Sequence, residues 1–336
     1  MCNYANTWCL VLAAGEGRRL QILTATPAGV AVPKQFCSLY GGPSLLQEAL
    51  LRALQVAPME FVCAVVAAEH RAWWAESIPH LPTGNVFVQP QDRGTAHGVL
   101  LPLIHILIRD VNAVVVVLPA DHHVLDERVL SKSLRDAVTL ARSSLRTVYL
   151  LGMEPEGPDT EVGYIVPEQG AQDGAAKVSQ LIEEPAPDQV RDLLDSGALW
   201  NAFIVVASAR ALVALFEKRF VSTIVDMLTV ARNSGNESLA VSAAGRLYQR
   251  LSTVDFIHDV LEGQEASLRV VPVPKCGWTD VGTPQRVAQA LLRLPAGVRT
   301  PKRISANSLR VNLASQHERR EMTEGRSGVH AKGITA

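Results

Sequence analysis

Short apolar runs alternate with longer segments of helical period along the first 145 residues. Runs 8–14, 61–67 and 113–118 are rich in Val, Leu and Ala and are bounded by Gly, Pro or Asp. Apolar runs of this length without polar alternation predict strands buried on both faces, as in a parallel sheet. Segments 44–56, 69–77, 95–108 and 126–141 carry the spacing of helices. This β-α-β-α order predicts an α/β fold, a doubly wound sheet whose ligands bind beyond the carboxyl ends of the strands.

After residue 145 the pattern changes. Segments 147–152, 163–167, 178–182 and 202–206 read as strands with less helix between them, a mixed-sheet extension suited to a second substrate. Segments 210–217, 221–231, 254–262 and 284–294 read as helices, and 268–272 as a last strand. Residues 299–336 are polar and carry eight Lys/Arg against three Asp/Glu, which predicts a disordered basic tail. One folded domain over 1–298 is expected, with halves at about 8–145 and 146–298.

Hydrophobic residues make up 48% of the 336, enough for a large core, and the net charge of -1 gives no bulk reason to expect nucleic acid or a membrane surface. No apolar stretch reaches 18 residues, and residues 1–7 lack a basic signal-peptide start. Five cysteines without C-x-x-C spacing suit a reduced, cytoplasmic setting. A homo-oligomer is left open.

Five segments carry chemistry. The first strand runs into Ala13, Ala14, Gly15, Glu16, Gly17, Arg18 and Arg19. Glycines let backbone N–H groups approach a phosphate, and Arg19 adds a charged fork. The third glycine of a dinucleotide fingerprint and the G-K-[ST] ending of a P-loop are both missing. Pro33 and Lys34 follow at a distance that allows Lys34 to fold back over the same loop. Arg93, Gly94 and Thr95 open a helix, with Thr95 as a candidate cap. Asp121 ends a strongly apolar strand, where a carboxylate suits Mg2+. His122 and His123 invite a zinc reading, but adjacent side chains point apart and no third ligand is near in sequence. Asp280 precedes Gly282 and a Pro-started helix with Thr283 as its cap.

Read in order, these segments resemble the sugar-nucleotidyltransferase family, and within it the guanylyltransferases that act on mannose 1-phosphate. The resemblance rests on 33–47 (PKQFCSLYGGPSLLQ), 117–122 (VLPADH), 199–201 (LWN) and 278–282 (WTDVG), and spans about residues 8–294. It implies a GT-A-like, Rossmann-like doubly wound mixed sheet with a sugar-binding extension. It implies that Gly15, Gly17, Arg19 and Lys34 hold a triphosphate, with Arg18 beside them, and that Asp121 and Asp280 hold Mg2+. It places Ala13, Ala14, Arg93, Gly94 and Thr95 toward the base, and Gly163, Tyr164, Glu183 and Asn201 around the sugar. GTP and a hexose 1-phosphate, mannose 1-phosphate first, would be the substrates. Transferase activity alone is expected, because too few residues follow 294 for the isomerase domain of longer members.

The family's Glu-Lys-Pro reads Glu183-Glu184-Pro185 here, and its Trp-Asn-Ser-Gly reads Trp200-Asn201-Ala202-Phe203. These departures fall on the acceptor side. They motivate a second expectation, a catalytically weak paralogue that binds nucleotide or nucleotide sugar and regulates a partner.

Overall fold

The computed structural model describes residues 6–26, 29–170, 174–232 and 237–294. Nine strands form one mixed sheet: β1 (Thr7–Ala13), β2 (Val62–Ala67), β3 (Val86–Gln89), β4 (Val114–Pro119), β5 (Val148–Met153), β6 (Tyr164–Pro167), β7 (Ala176–Ile182), β8 (Leu199–Ser208) and β9 (Leu268–Val273). Their order is β3-β2-β1-β4-β8-β5-β9-β7-β6, and β3, β2, β1 and β4 run parallel. The helices are α1 (Gln21–Thr24), α2 (Leu45–Ala53), α3 (Arg71–Ser77), α4 (Thr95–Arg109), α5 (Glu127–Ser143), α6 (Gln189–Asp195), α7 (Ala209–Glu217), α8 (Val221–Arg232), α9 (Glu237–Arg250) and α10 (Pro284–Arg293). The expected mixed doubly wound architecture is present. Residues 299–336 and Cys2 lie outside the described residues.

The two-residue period of the strands explains the double layer. Trp8 and Leu10 of β1 join Val115 and Val117 of β4 in the core under α4, α7 and α8. Cys9, Val11 and Ala13 join Val114, Val116 and Leu118 in the opposite core under α2, α3 and α5. Each fully buried Val or Leu contributes about 1.5–3 kcal/mol, so covering both faces fixes the sheet without polar alternation. Helix α2 starts at the capping box Ser44-x-x-Gln47, whose two reciprocal bonds measure 2.8 and 3.3 Å.

The second half departs from its sequence reading in three places. The helix expected over 254–262 is a π-helix over Phe256–Leu261, capped by Asp255, which accepts from Ile257 N and His258 N, and closed by Glu262 N donating to the Ile257 carbonyl at 3.0 Å. Helices α6 and α9 are absent from the sequence reading. Strand β8 runs from Leu199 and bulges against β5: Leu150 pairs with Val205 but Gly152 with Asn201. The extra residues include Phe203, whose φ of 54° places a bulky side chain in the left-handed conformation. No helix among the described residues is long and apolar enough to cross a membrane.

The topology converges on one edge. Parallel β1 and β4 end at Ala13 and Pro119, so their following loops emerge side by side. Strand β8 is antiparallel to β4, which brings its first residues to that same end.

Candidate active site

The loop after β1 is held from below. Gln35 is 2% exposed and donates Nε2 to the carbonyls of Ala13 (3.0 Å) and Gly15 (2.7 Å). Gly17 has φ of 62°, and a Cβ there would meet Lys34 N and Cγ at 3.1 Å. Glycine is required at 17 for conformation and for space alike. Gly15 and Arg19 are exposed, and Arg19 has no ion pair among the described residues. Arg18 pairs with Glu16; that hydrogen bond chiefly raises its pKa, with smaller contributions from Asp92 and Glu69. An open pocket of about 290 Å3 is lined by Gly17, Arg18, Arg19, Lys34, Asp121 and Gly282.

Lys34 organises the floor of that pocket. Its Nζ donates to the carbonyl of Asp280 at 2.8 Å and lies 3.1 Å from Asp121 Oδ2. Loops 246 residues apart in sequence thus meet on one ammonium. Burial pushes the Asp121 carboxyl up, but the charge of Lys34 and its hydrogen bond outweigh it and hold the group below its ordinary value. Oδ1 of Asp280 accepts from Arg286 NH1 at 2.7 Å and Gly282 N at 3.1 Å. Thr283 caps α10 through Arg286 N, as the sequence suggests.

The adjacent histidines do point apart. Nδ1 of His122 accepts from Trp278 Nε1 at 3.3 Å, and burial drives its pKa down to about 4, so the ring is neutral. His123 Nδ1 lies 2.9 Å from Glu48 Oε2, and its backbone bridges to Thr279. Among the described residues no cluster of three His, Cys, Asp or Glu side chains could hold a metal. Asp121 in this pocket and Asp280 behind Lys34 suit Mg2+, which binds through one or two carboxylates plus substrate phosphates rather than an all-protein cage.

The segment expected to face the base is tied to the π-helix. Gly94, at φ of 85°, packs against the Val254 backbone, where a Cβ would overlap. Thr95 is the first residue of α4, not its cap. Its hydroxyl donates to Asp255 Oδ2 (2.9 Å) and accepts from Phe256 N (2.8 Å). Arg93 is committed to the Tyr248 carbonyl and to Gln91.

On the acceptor side, Asn201 Nδ2 donates to Glu183 Oε1 at 3.1 Å, and Asn201 N to the Gly163 carbonyl at 2.7 Å. Gly163 lets the Glu183 carboxylate pass where a Cβ would overlap it. The Glu183 surroundings push its pKa up to about 7: desolvation first, then Asp255, Glu262 and Glu184, opposed by the Asn201 hydrogen bond. Its residue surface nonetheless remains open to solvent. Tyr164 corrects the sequence expectation. It is 0% exposed, because its strand position points into the cluster of Val190, Leu193 and Ala198. Its hydroxyl serves Asp159 N, the Asp159 carbonyl and Trp200 Nε1, so it does not line a sugar pocket. Gln35, Asp159 and Arg286 hold the candidate site together but are given no role in the sequence reading. Only Gln35 had a local signal, its place beside Lys34.

With this geometry in place, comparison with known proteins decides the family. The family model described as nucleotidyl transferase matches residues 9–296. The chain belongs to the nucleotidyl transferase family. Similar relatives include a xanthan biosynthesis protein XanB of Xanthomonas campestris pv. campestris (28% identical, over 82% of this chain and 57% of that protein). Another is a mannose-1-phosphate guanylyltransferase of Escherichia coli K12 (29% identical, over 82% of this chain and 57% of that protein). The nucleotidyl transferase chain thus spans a little over half the length of the curated relatives it matches. Among solved structures, one titled mannose-1-phosphate geranyltransferase, from Thermus thermophilus, superposes with a TM-score of 0.72 at 24% identity, covering 86% of this chain and 80% of that one. That likeness establishes the fold.

Proposed function

We propose that the protein transfers a nucleotidyl group from a nucleoside triphosphate to a hexose 1-phosphate, with GTP and mannose 1-phosphate as first substrates. The observation that carries this reading is the Lys34 ammonium, which joins Asp121 Oδ2 and the Asp280 carbonyl beneath the Gly17 loop. An oxygen of the sugar phosphate attacks the α-phosphorus. The bond from that phosphorus to the β-phosphate oxygen breaks, and pyrophosphate leaves. The nucleophile is already ionised at neutral pH, so no general base is required.

This chain's part is positioning and charge neutralisation. The backbone of Gly15 to Gly17 approaches the phosphates, Arg19 and Lys34 offset their charge, and Asp121 and Asp280 present oxygens to Mg2+. When bound, Mg2+ would neutralise phosphate charge. Glu183 and Asn201 accept and donate to sugar hydroxyls. The names of the relatives support guanine and mannose.

The direct test supplies GTP labelled at the α-phosphate, Mg2+ and mannose 1-phosphate. Label in the sugar product supports nucleotidyl transfer, and label confined to GMP or GTP contradicts it. A second reading, a nucleotide-sugar-binding regulator with little turnover, is favoured by the acidic surroundings of Glu183. It predicts binding of GTP or GDP-mannose without pyrophosphate release.

A further inference from the structure

Arg286 sits in the first turn of α10 with its side chain 11% exposed. Its guanidinium donates NH1 to Asp280 Oδ1 at 2.7 Å and NH2 to Asp159 Oδ1 at 2.5 Å, with Glu161 Oε2 at 3.8 Å. Oδ1 of Asp280 accepts from Gly282 N as well, so its lone pairs are taken. No donor reaches Oδ2 among the described residues. The far end of the guanidinium is equally fixed. Asp159 is held on both backbone sides by the Tyr164 hydroxyl, which also accepts from Trp200 Nε1 at 3.1 Å. Trp200 adjoins Asn201, the acceptor-side residue that bonds Glu183.

We infer that Arg286 is a positioning residue that locks Asp280 so that Oδ2 alone faces the divalent cation, and that ties this orientation to the acceptor half through Asp159. The inference rests on the metal role given to Asp280 above. Arg286 touches no reacting atom. Two opposed effects make its sign informative. A nearby cation repels a metal ion by Coulomb's law, so its removal alone would tighten metal binding. Loss of an orienting partner loosens it, by about 10- to 100-fold for groups that hold a metal ligand. The geometry favours the second, because Asp159 and Glu161 already offset the Arg286 charge.

The test is binding of Mn2+ alone to the full chain, read from loss of the free-ion electron paramagnetic resonance signal. Arg286→Ala is expected to raise the Mn2+ Kd about tenfold. Asp159→Asn keeps Arg286 and Asp280 but frees the far end, and is expected to raise it about threefold; it serves if Arg286→Ala does not fold. Arg293→Ala is the control. Arg293 lies on the same helix, pairs with Glu156 at 2.6 Å and makes no bond to Asp280. It should change the Kd less than about twofold, while a purely structural Arg286 would lower the melting temperature on replacement and leave the Kd as in this control. Unchanged or tighter Mn2+ binding in Arg286→Ala overturns the inference, as does wild-type protein that binds no Mn2+. If the Kd shifts as expected but no nucleotidyl transfer is found, the proposed reaction fails and the role of Arg286 stands.

Discussion

The two halves of the site meet the same conformational demand in different ways. In the nucleotide half, left-handed backbone falls on Gly17 and Gly94, where it costs little. In the second half it falls on glycines such as Gly197 and Gly277 but also on Glu184 (φ 47°) and Phe203 (54°), and each such non-glycine residue costs about 1–2 kcal/mol. Charge divides the same way. The glycine loop presents Arg18, Arg19 and Lys34, whereas Glu183 faces Glu184, Asp255 and Glu262. The first half is relaxed and basic around this loop, and the second is strained and acidic.

The largest expected effect breaks the nucleotide half. Asp121→Asn or Asp280→Asn should lower turnover by about 10^3-fold, measured as pyrophosphate release at saturating substrate. A loss under tenfold would remove the carboxylates from the chemistry. Next, Glu184→Lys sharpens the comparison by reversing charge at the acceptor. It should raise kcat/KM for the hexose 1-phosphate about tenfold and leave the nucleotide KM unchanged. An equal change in both would show that the halves are not separable.

Smaller effects read the strain and burial of the acceptor half. Glu183 has its pKa raised to about 7, so the folded state binds this proton more tightly than the unfolded one. Its favourable contribution is complete below the ordinary glutamate range and is lost as pH rises through about 7. Glu183→Gln should therefore melt about 1–2 °C above wild type at pH 8 and level with it at pH 4, a small effect because the residue is partly open. Identical melting curves at both pH values would count against a raised carboxyl. Of similar size, Glu184→Gly should stabilise by about 0.5–1 kcal/mol in denaturant titration, strain relief less the added chain entropy. A destabilised variant would mean that the Glu184 side chain makes a contact worth more than the strain.

What could be read from the sequence follows from how local each cause is. The strands around Val65 and Val115 declare themselves by unbroken apolar runs, and Asp121 by its place at the end of one. The glycine loop is legible because Gly17 is needed where it stands. Tyr164 misleads, because a strand residue one step from the site points to the opposite face. Phe203 hides a bulge, since nothing in its neighbours announces that β8 holds more residues than β5 at that point. Arg286 was beyond reach, for its partner Asp159 is 127 residues away and only the fold joins them. The four described cysteines are all buried; desolvation raises their pKa values, to about 11 for Cys37 and Cys276, which fits packing roles.

The most direct test of an intact nucleotide half facing an altered acceptor half is pyrophosphate release across a matrix of five nucleoside triphosphates and common hexose 1-phosphates, for wild type and Glu184→Lys. The account predicts metal-dependent release by wild type with GTP and at least one sugar phosphate, and a gain in Glu184→Lys confined to acceptor efficiency. No release from either protein in any combination, with GTP still bound, would contradict it.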